Sequence, residues 1–252
     1  MSFGHFIAIF LAGTAAGTIN TVVGSGSLIT FPTLVALGYP PLVANVSNNI
    51  GLVPGSLSGV YGYRRELRGQ TQRLRRLVPA SFLGGLIGST LLLVLPSTVF
   101  RKVVVVLIAI ALVLVIVQPF VARRIAARRS QGAAGTRVVT PTLAALVCAA
   151  GVYGGYFGAA QGIILIALLG IFLDDHLQRL NACKNVLAMT VNAVASVVFI
   201  VRTTIDWKVV AIIAVGSTIG GQIGAKVGRR LDPRWLRALI VAVGLTALIR
   251  LL

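Results

Sequence analysis

The sequence predicts an all-α integral membrane protein made of two inverted-topology repeats of five elements each, the first helix pair of each repeat broken or re-entrant. Three observations predict it: long apolar stretches without charge, one half of the chain repeating the other, and basic residues that fall mostly on one side of a membrane. Of the 252 residues, 57% are hydrophobic and only 11% charged, outside the range of soluble domains. Residues 1–63 contain no Lys, Arg, Asp or Glu, and further uncharged runs cover 77–100, 103–122, 138–173, 185–201 and 209–225. A helix needs about 20 apolar residues to cross a hydrocarbon core of roughly 30 Å. The apolar–polar alternation of a membrane β-barrel is absent from the sequence.

The duplication rests on polar and backbone-breaking residues. Gly13, Gly17 and Gly24 overlay Gly151, Gly155 and Gly162 at an offset of 138. Asn45, Asn49, Ser81, Gly84, Gly85, Gly88, Leu95 and Arg101 overlay Asn181, Asn185, Ser217, Gly220, Gly221, Gly224, Leu231 and Arg237 at an offset of 136. Such internal repeats in an apolar chain point to a secondary transporter with its site between them.

The first repeat, over 1–121, reads as elements at 3–20, 28–37, 45–63, 77–95 and 98–121. A basic cytoplasmic linker follows over 122–140. The second repeat, over 141–252, has elements at 142–157, 161–173, 181–201, 207–227 and 233–252. The uncharged run 138–173 would make a straight helix of about 54 Å, too long for one crossing. Glycines at 151, 154, 155, 158 and 162 offer breaks, so the run folds back as two short crossings or as a re-entrant pair. No basic region precedes the first apolar stretch, so residues near Met1 are expected to start a membrane segment rather than a cleaved signal.

Lys and Arg then set the topology. With the 64–76 and 123–137 segments inside, 18 of the 23 Lys and Arg lie on the cytoplasmic side, and Arg101, Lys102, Arg202, Lys208 and Arg250 lie outside. This obeys the positive-inside rule. It puts both termini outside and makes the halves inverted. The formal charge of +18 then reflects loop arginines and attraction to anionic lipid, not a nucleic-acid partner.

Two motifs could carry chemistry. Asn20, Gly24, Ser25, Gly26 and Ser27 lie at a break within apolar sequence, and Gln161 and Gly162 lie at the corresponding break. Irregular backbone at membrane depth must be satisfied by protein or a wet cavity. Glycines admit a ligand to backbone N–H groups, and the half-helix that follows points its positive end at the break, which suits an anion. The alternative is that the glycines serve close helix packing. The second motif is Asn45, Asn48 and Asn49 with Asn181, Lys184 and Asn185, expected to open two helices. Asn is an ordinary N-cap, but three within five residues exceed that need and suggest an oxyanion receptor. Lys184 either snorkels to the inner interface or pairs with a bound anion. Asn192 is a weaker candidate.

Glu66, Asp174, Asp175, Asp206 and Asp232 fall in expected loops or helix ends, so no carboxylate is placed to couple protons or Na⁺ at mid-membrane. His5 and His176 are expected at interfaces. Cys148 and Cys183 make no disulfide framework or metal spacing, and Cys183, at the place of Ser47, is expected to pack. Tyr61, Tyr63, Trp207 and Trp235 fit an aromatic belt. Nothing resembles a nucleophile–base set, a phosphate loop or a metal site, so neither enzyme activity nor a cofactor is expected.

Residues 12–32, from Ala12-Gly13 through Asn20-Thr21-Val22-Val23-Gly24-Ser25-Gly26-Ser27 to Phe31-Pro32, resemble the opening motif of the TauE/SafE sulfite exporter family, also called the toluene sulfonate uptake permease family. Pro41 to Asn45, Pro54 to Gly59, Tyr63 to Leu67 and the Gly151-to-Gly162 stretch resemble it too, so the likeness spans the chain. Ser25 replaces the middle Gly of the family's turn. The resemblance implies inner-membrane transport of a small anion such as sulfite, sulfoacetate or another organosulfonate. Export by alternating access is the expectation; an anion channel of the same architecture and an importer of organic anions are the alternatives. Oligomeric state is left open.

Overall fold

The computed structural model describes residues 1–130, 138–227 and 233–251. Arg137, Arg229, Arg230, Leu231, Asp232 and the 131–137 part of the linker lie outside the described residues. Among those described there are ten helices and no strand: α1 Phe3–Val22, α2 Ser27–Ala36, α3 Pro41–Gly62, α4 Thr71–Val94, α5 Ser97–Ser130, α6 Pro141–Tyr156, α7 Gln161–Phe172, α8 Leu177–Arg202, α9 Trp207–Val227 and α10 Pro233–Leu251. Helices α1, α4, α8, α9 and the 103–124 stretch of α5 are long and apolar enough to cross a membrane. At 1.5 Å per residue, α2 and α7 extend only about 15 and 18 Å, roughly half a hydrocarbon core.

Local chemistry sets the boundaries. Thr140 caps α6 by accepting from Leu143 N at 3.2 Å, ahead of Pro141 in the first turn. Asp206, expected at a loop or helix end, caps α9 by accepting from Lys208 N and Val209 N at 3.0 and 3.1 Å. Helix α5 runs on through its Ala- and Arg-rich tail to Ser130, so the first nine residues of the expected linker are helical.

Two expectations need correction. Asn45 and Asn181 do not open their helices. Pro41 starts α3 and Leu177 starts α8, so each Asn is the fifth helical residue. Pro41 has no N–H to lose and a φ suited to a first turn, while Asp175 and Arg179 pair across the start of α8. The asparagine amides are thereby freed to reach other helices. Tyr63 is not in an aromatic belt; it is buried against Ala182 and Ala225. Tyr61 and Trp207 are exposed, as a belt requires.

The halves interlock. Helices α1, α2 and α3 pack on α9 and α10, while α6, α7 and α8 pack on α4 and α5. The same glycines make both seams. A Cβ on Gly17 would lie 2.2 Å from Ser217 O, and one on Gly155 would lie 2.4 Å from Gly85 O. For these residues, close backbone packing is the whole explanation. Helices α3 and α8 join the two groups, and across them Asn49 Nδ2 donates to Asn192 Oδ1 at 3.4 Å while Ser196 Oγ donates to Asn49 Oδ1 at 3.0 Å.

Candidate functional site

The two breaks in the helices touch. Helix α1 stops because Gly24 takes φ +90°, a left-handed turn in which its N–H bonds Ile19 O at 3.0 Å. Helix α6 stops in the same way at Gly158, φ +79°, with its N–H on Tyr153 O at 3.2 Å. In each case the next helix begins three residues later, at Ser27 and at Gln161. By this geometry Gly24 corresponds to Gly158, not to Gly162 as the offset of 138 suggests, because α6 is four residues shorter than α1. Gly162 instead meets Gly24 directly: Gly162 N donates to Gly24 O at 2.9 Å, and a Cβ on either would lie 2.4 Å from the other's Cα.

Around this contact the amides of α3 and α8 hold the ends of the opposite first helices. Asn181 Nδ2 and Asn185 Nδ2 donate to Thr21 O at 3.2 and 3.3 Å. Lys184 Nζ donates to Asn20 O at 3.1 Å and to Thr21 O at 3.4 Å. From the other half, Asn45 Nδ2 donates to Tyr156 O, at the end of α6, at 3.2 Å. These carbonyls belong to helix C-termini, which carry partial negative charge and lack intrahelical partners. Lys184 is only 1% exposed. Its expected alternative role of snorkelling to the inner interface is therefore incorrect, since Nζ turns inward to α1 rather than out to water.

The remaining expected residues divide. Asn20 Nδ2 donates to Ser56 Oγ at 3.3 Å, and its Cβ side lies beside Gly26. Asn48 Oδ1 accepts a short hydrogen bond from Thr30 of α2. Gly26 and Ala160 are the N-caps of α2 and α7, so both half-helices point their positive ends at the breaks. Ser25 and Gln161 flank the Gly24–Gly162 contact and are 1% and 3% exposed. Ser25 Oγ and Gln161 Nε2 are buried without a hydrogen-bond partner, as are Ser47 Oγ and Tyr156 Oη. Buried polar atoms of this kind are rare and call for an explanation such as a ligand.

Sequence reasoning missed Ser56, Ser196 and Tyr156 and undervalued Asn192. The signal for two of them was present: Ser56 overlays Asn192 at the offset of 136. Cys183 packs in an apolar cluster with Leu77 and Leu187, as expected.

The sulfite exporter TauE/SafE family model matches residues 9–251. The chain belongs to this family. Similar chains include a "probable membrane transporter protein" of Haemophilus influenzae, 26% identical over 92% of this chain and 89% of its own length. A "probable membrane transporter protein ORF9" of a Sinorhizobium species is 29% identical over 98% and 93%. The "probable membrane transporter protein YfcA" of Escherichia coli K12 is 25% identical over 93% and 85%. No solved structure matches the chain. The chain is thus a multi-pass membrane transporter, from a family of transporters rather than enzymes.

Proposed function

We propose that this TauE/SafE transporter is a secondary carrier that exports a small anion by alternating access between two inverted repeats. The observation that carries the reading is the contact of the two helix breaks, Gly24 on Gly162, flanked by the unpartnered Ser25 Oγ and Gln161 Nε2. Donors without partners beside two positive half-helix ends favour an oxyanion. The site is built from Asn20, Gly24, Ser25, Gly26 and Ser27 at the first break and Gln161 and Gly162 at the second. Asn45, Asn48, Asn49, Asn181, Lys184 and Asn185 form its walls. Sulfite, sulfoacetate or another organosulfonate is the substrate class, supported by the family description. Both termini face outward from the inner membrane, as the Lys and Arg distribution favours. An inside-negative potential drives anions out, by about 2.3 kcal/mol per charge per 100 mV.

The test is counterflow in liposomes. Labelled sulfite should accumulate transiently against its gradient when unlabelled sulfite is preloaded, and replacing Asn20, Asn45, Asn49, Asn181 and Asn185 together by Ala should abolish it. Flux without counterflow would make the protein a channel. Transport unaffected by the joint replacement would remove the asparagines from the site.

A further inference from the structure

Lys184 places an amine in the middle of the bundle, and in its ammonium form the surroundings leave the charge unbalanced until an anion joins it. Nζ makes two hydrogen bonds, to Asn20 O and Thr21 O, and an ammonium has three N–H donors. Among the described residues no carboxylate lies at ion-pair distance; the two ion pairs both belong to Asp175, with Arg73 and Arg179. The end of α1 supplies the equivalent of about half a negative charge. Roughly half of the lysine's charge is left without a counter-ion, in a position 1% exposed, where an unpaired charge is strongly disfavoured.

Capping α1 does not require a charge. Among the described residues, the side chain that holds Tyr156 O at the end of α6 is the neutral amide of Asn45, and Thr21 O already accepts from Asn181 and Asn185. At the offset of 136, Lys184 stands where the first half has Asn48, a neutral residue. A cation has thus been placed in one copy at a point where the other copy manages without one. It touches Asn20, which packs on Gly26 of the first break. The nearby unpartnered groups, Ser25 Oγ and Gln161 Nε2, are uncharged dipoles.

Resting on the anion-carrier reading, we propose that Lys184 is the counter-charge of the cargo and limits it to one negative charge. The site then accepts monoanions, such as an alkanesulfonate, hydrogen sulfite or a carboxylate. It rejects dianions of similar size, such as sulfate or a disulfonate, whose second charge would enter without a partner, and so narrows the proposed class by excluding sulfoacetate, itself a dianion, and by taking sulfite only as hydrogen sulfite.

The test uses the full chain in liposomes at one fixed pH, with uptake of labelled methanesulfonate as readout and methanesulfonate, acetate, sulfate and methanedisulfonate as competitors. Both dianions should compete at least about tenfold more weakly than the monoanions. Lys184→Gln should lower uptake by about tenfold or more, and Lys184→Arg should keep the order of competitors. The comparison of competitors on the unaltered protein needs no variant to fold. Equal competition by the dianions would overturn the charge limit and leave the anion site standing. Unchanged uptake by Lys184→Gln would reduce the ammonium to a cap on α1. If neither labelled methanesulfonate nor labelled acetate is carried, the anion site itself fails.

Discussion

The two copies of the unit formed by a broken helix and an amide-bearing helix do the same job with different chemistry. In the first copy α3 uses one amide, Asn45, to hold the end of α6, sends Asn48 to Thr30, and turns Asn49 toward Asn192 and Ser196 of α8. In the second copy α8 commits Asn181, Lys184 and Asn185 to the end of α1. The start of α8 is further tied to α4 by Asp175, which bridges Arg73 and Arg179 at 2.9 Å each. Positions that overlay at the offset of 136 carry different chemistry, and the lysine and the redundancy both fall on α8.

The largest expected effect lies where the copies meet. Gly24→Ala and Gly162→Ala each place a methyl 2.4 Å from backbone that cannot step aside. Each should remove folded, transport-competent protein, seen as loss of the monodisperse peak on size exclusion. Gly38→Ala faces open space and should cost only about 1–2 kcal/mol for its left-handed φ. The redundancy comes next. Asn45→Ala leaves Tyr156 O without its amide and should cost roughly 1–3 kcal/mol. Asn181→Ala leaves Thr21 O with two other donors and should cost about 1 kcal/mol or less. Equal melting temperatures for the two variants would erase the contrast between the copies.

The tie at Asp175 gives a smaller, pH-dependent effect. Burial works against its charge, but hydrogen bonds from Arg179, Arg73 and His176 N outweigh it and hold the carboxyl below the usual carboxylate value. A group depressed in the folded state stabilises it above its unfolded value of about 3.9. That contribution is lost as pH falls through the depressed value. Asp175→Asn should lower the melting temperature at neutral pH by about 2–4 °C, for a loss near 1 kcal/mol. It should also remove this part of the acid-side decline. The smallest effect is a gain. Ala160, at φ +60°, is the one non-glycine left-handed residue among those described, and Ala160→Gly should stabilise by about 1 kcal/mol.

The helices could be read from the sequence because uncharged runs, Pro and Gly mark them; α9 has the bounds expected, Trp207–Val227. The breaks at 24–27 and 158–161 could be read too, because glycines interrupt runs too long for one helix. What the sequence hid was register. Pro41 and the Asp175 pairings start α3 and α8 a turn early, which turns the asparagines from caps of their own helices into clamps on others. The four-residue difference between α1 and α6 likewise made Gly162 look like a copy of Gly24 when it is its contact. Tyr63 looked interfacial by position, yet a bundle that interlocks its halves buries it. Such features depend on which helix lies across the gap, and spacing along one chain does not report that.

The central claim is that the meeting point of the breaks binds an anion through Ser25 and Gln161. Because neither Ser25 Oγ nor Gln161 Nε2 has a partner to lose, Ser25→Ala with Gln161→Ala removes the donors without breaking a hydrogen bond made by either atom. Equilibrium binding of labelled sulfite to the purified protein measures the claim directly. The account predicts saturable binding that weakens about tenfold or more in the double variant, at an unchanged or raised melting temperature. Equal binding by the double variant and the unaltered protein would contradict it.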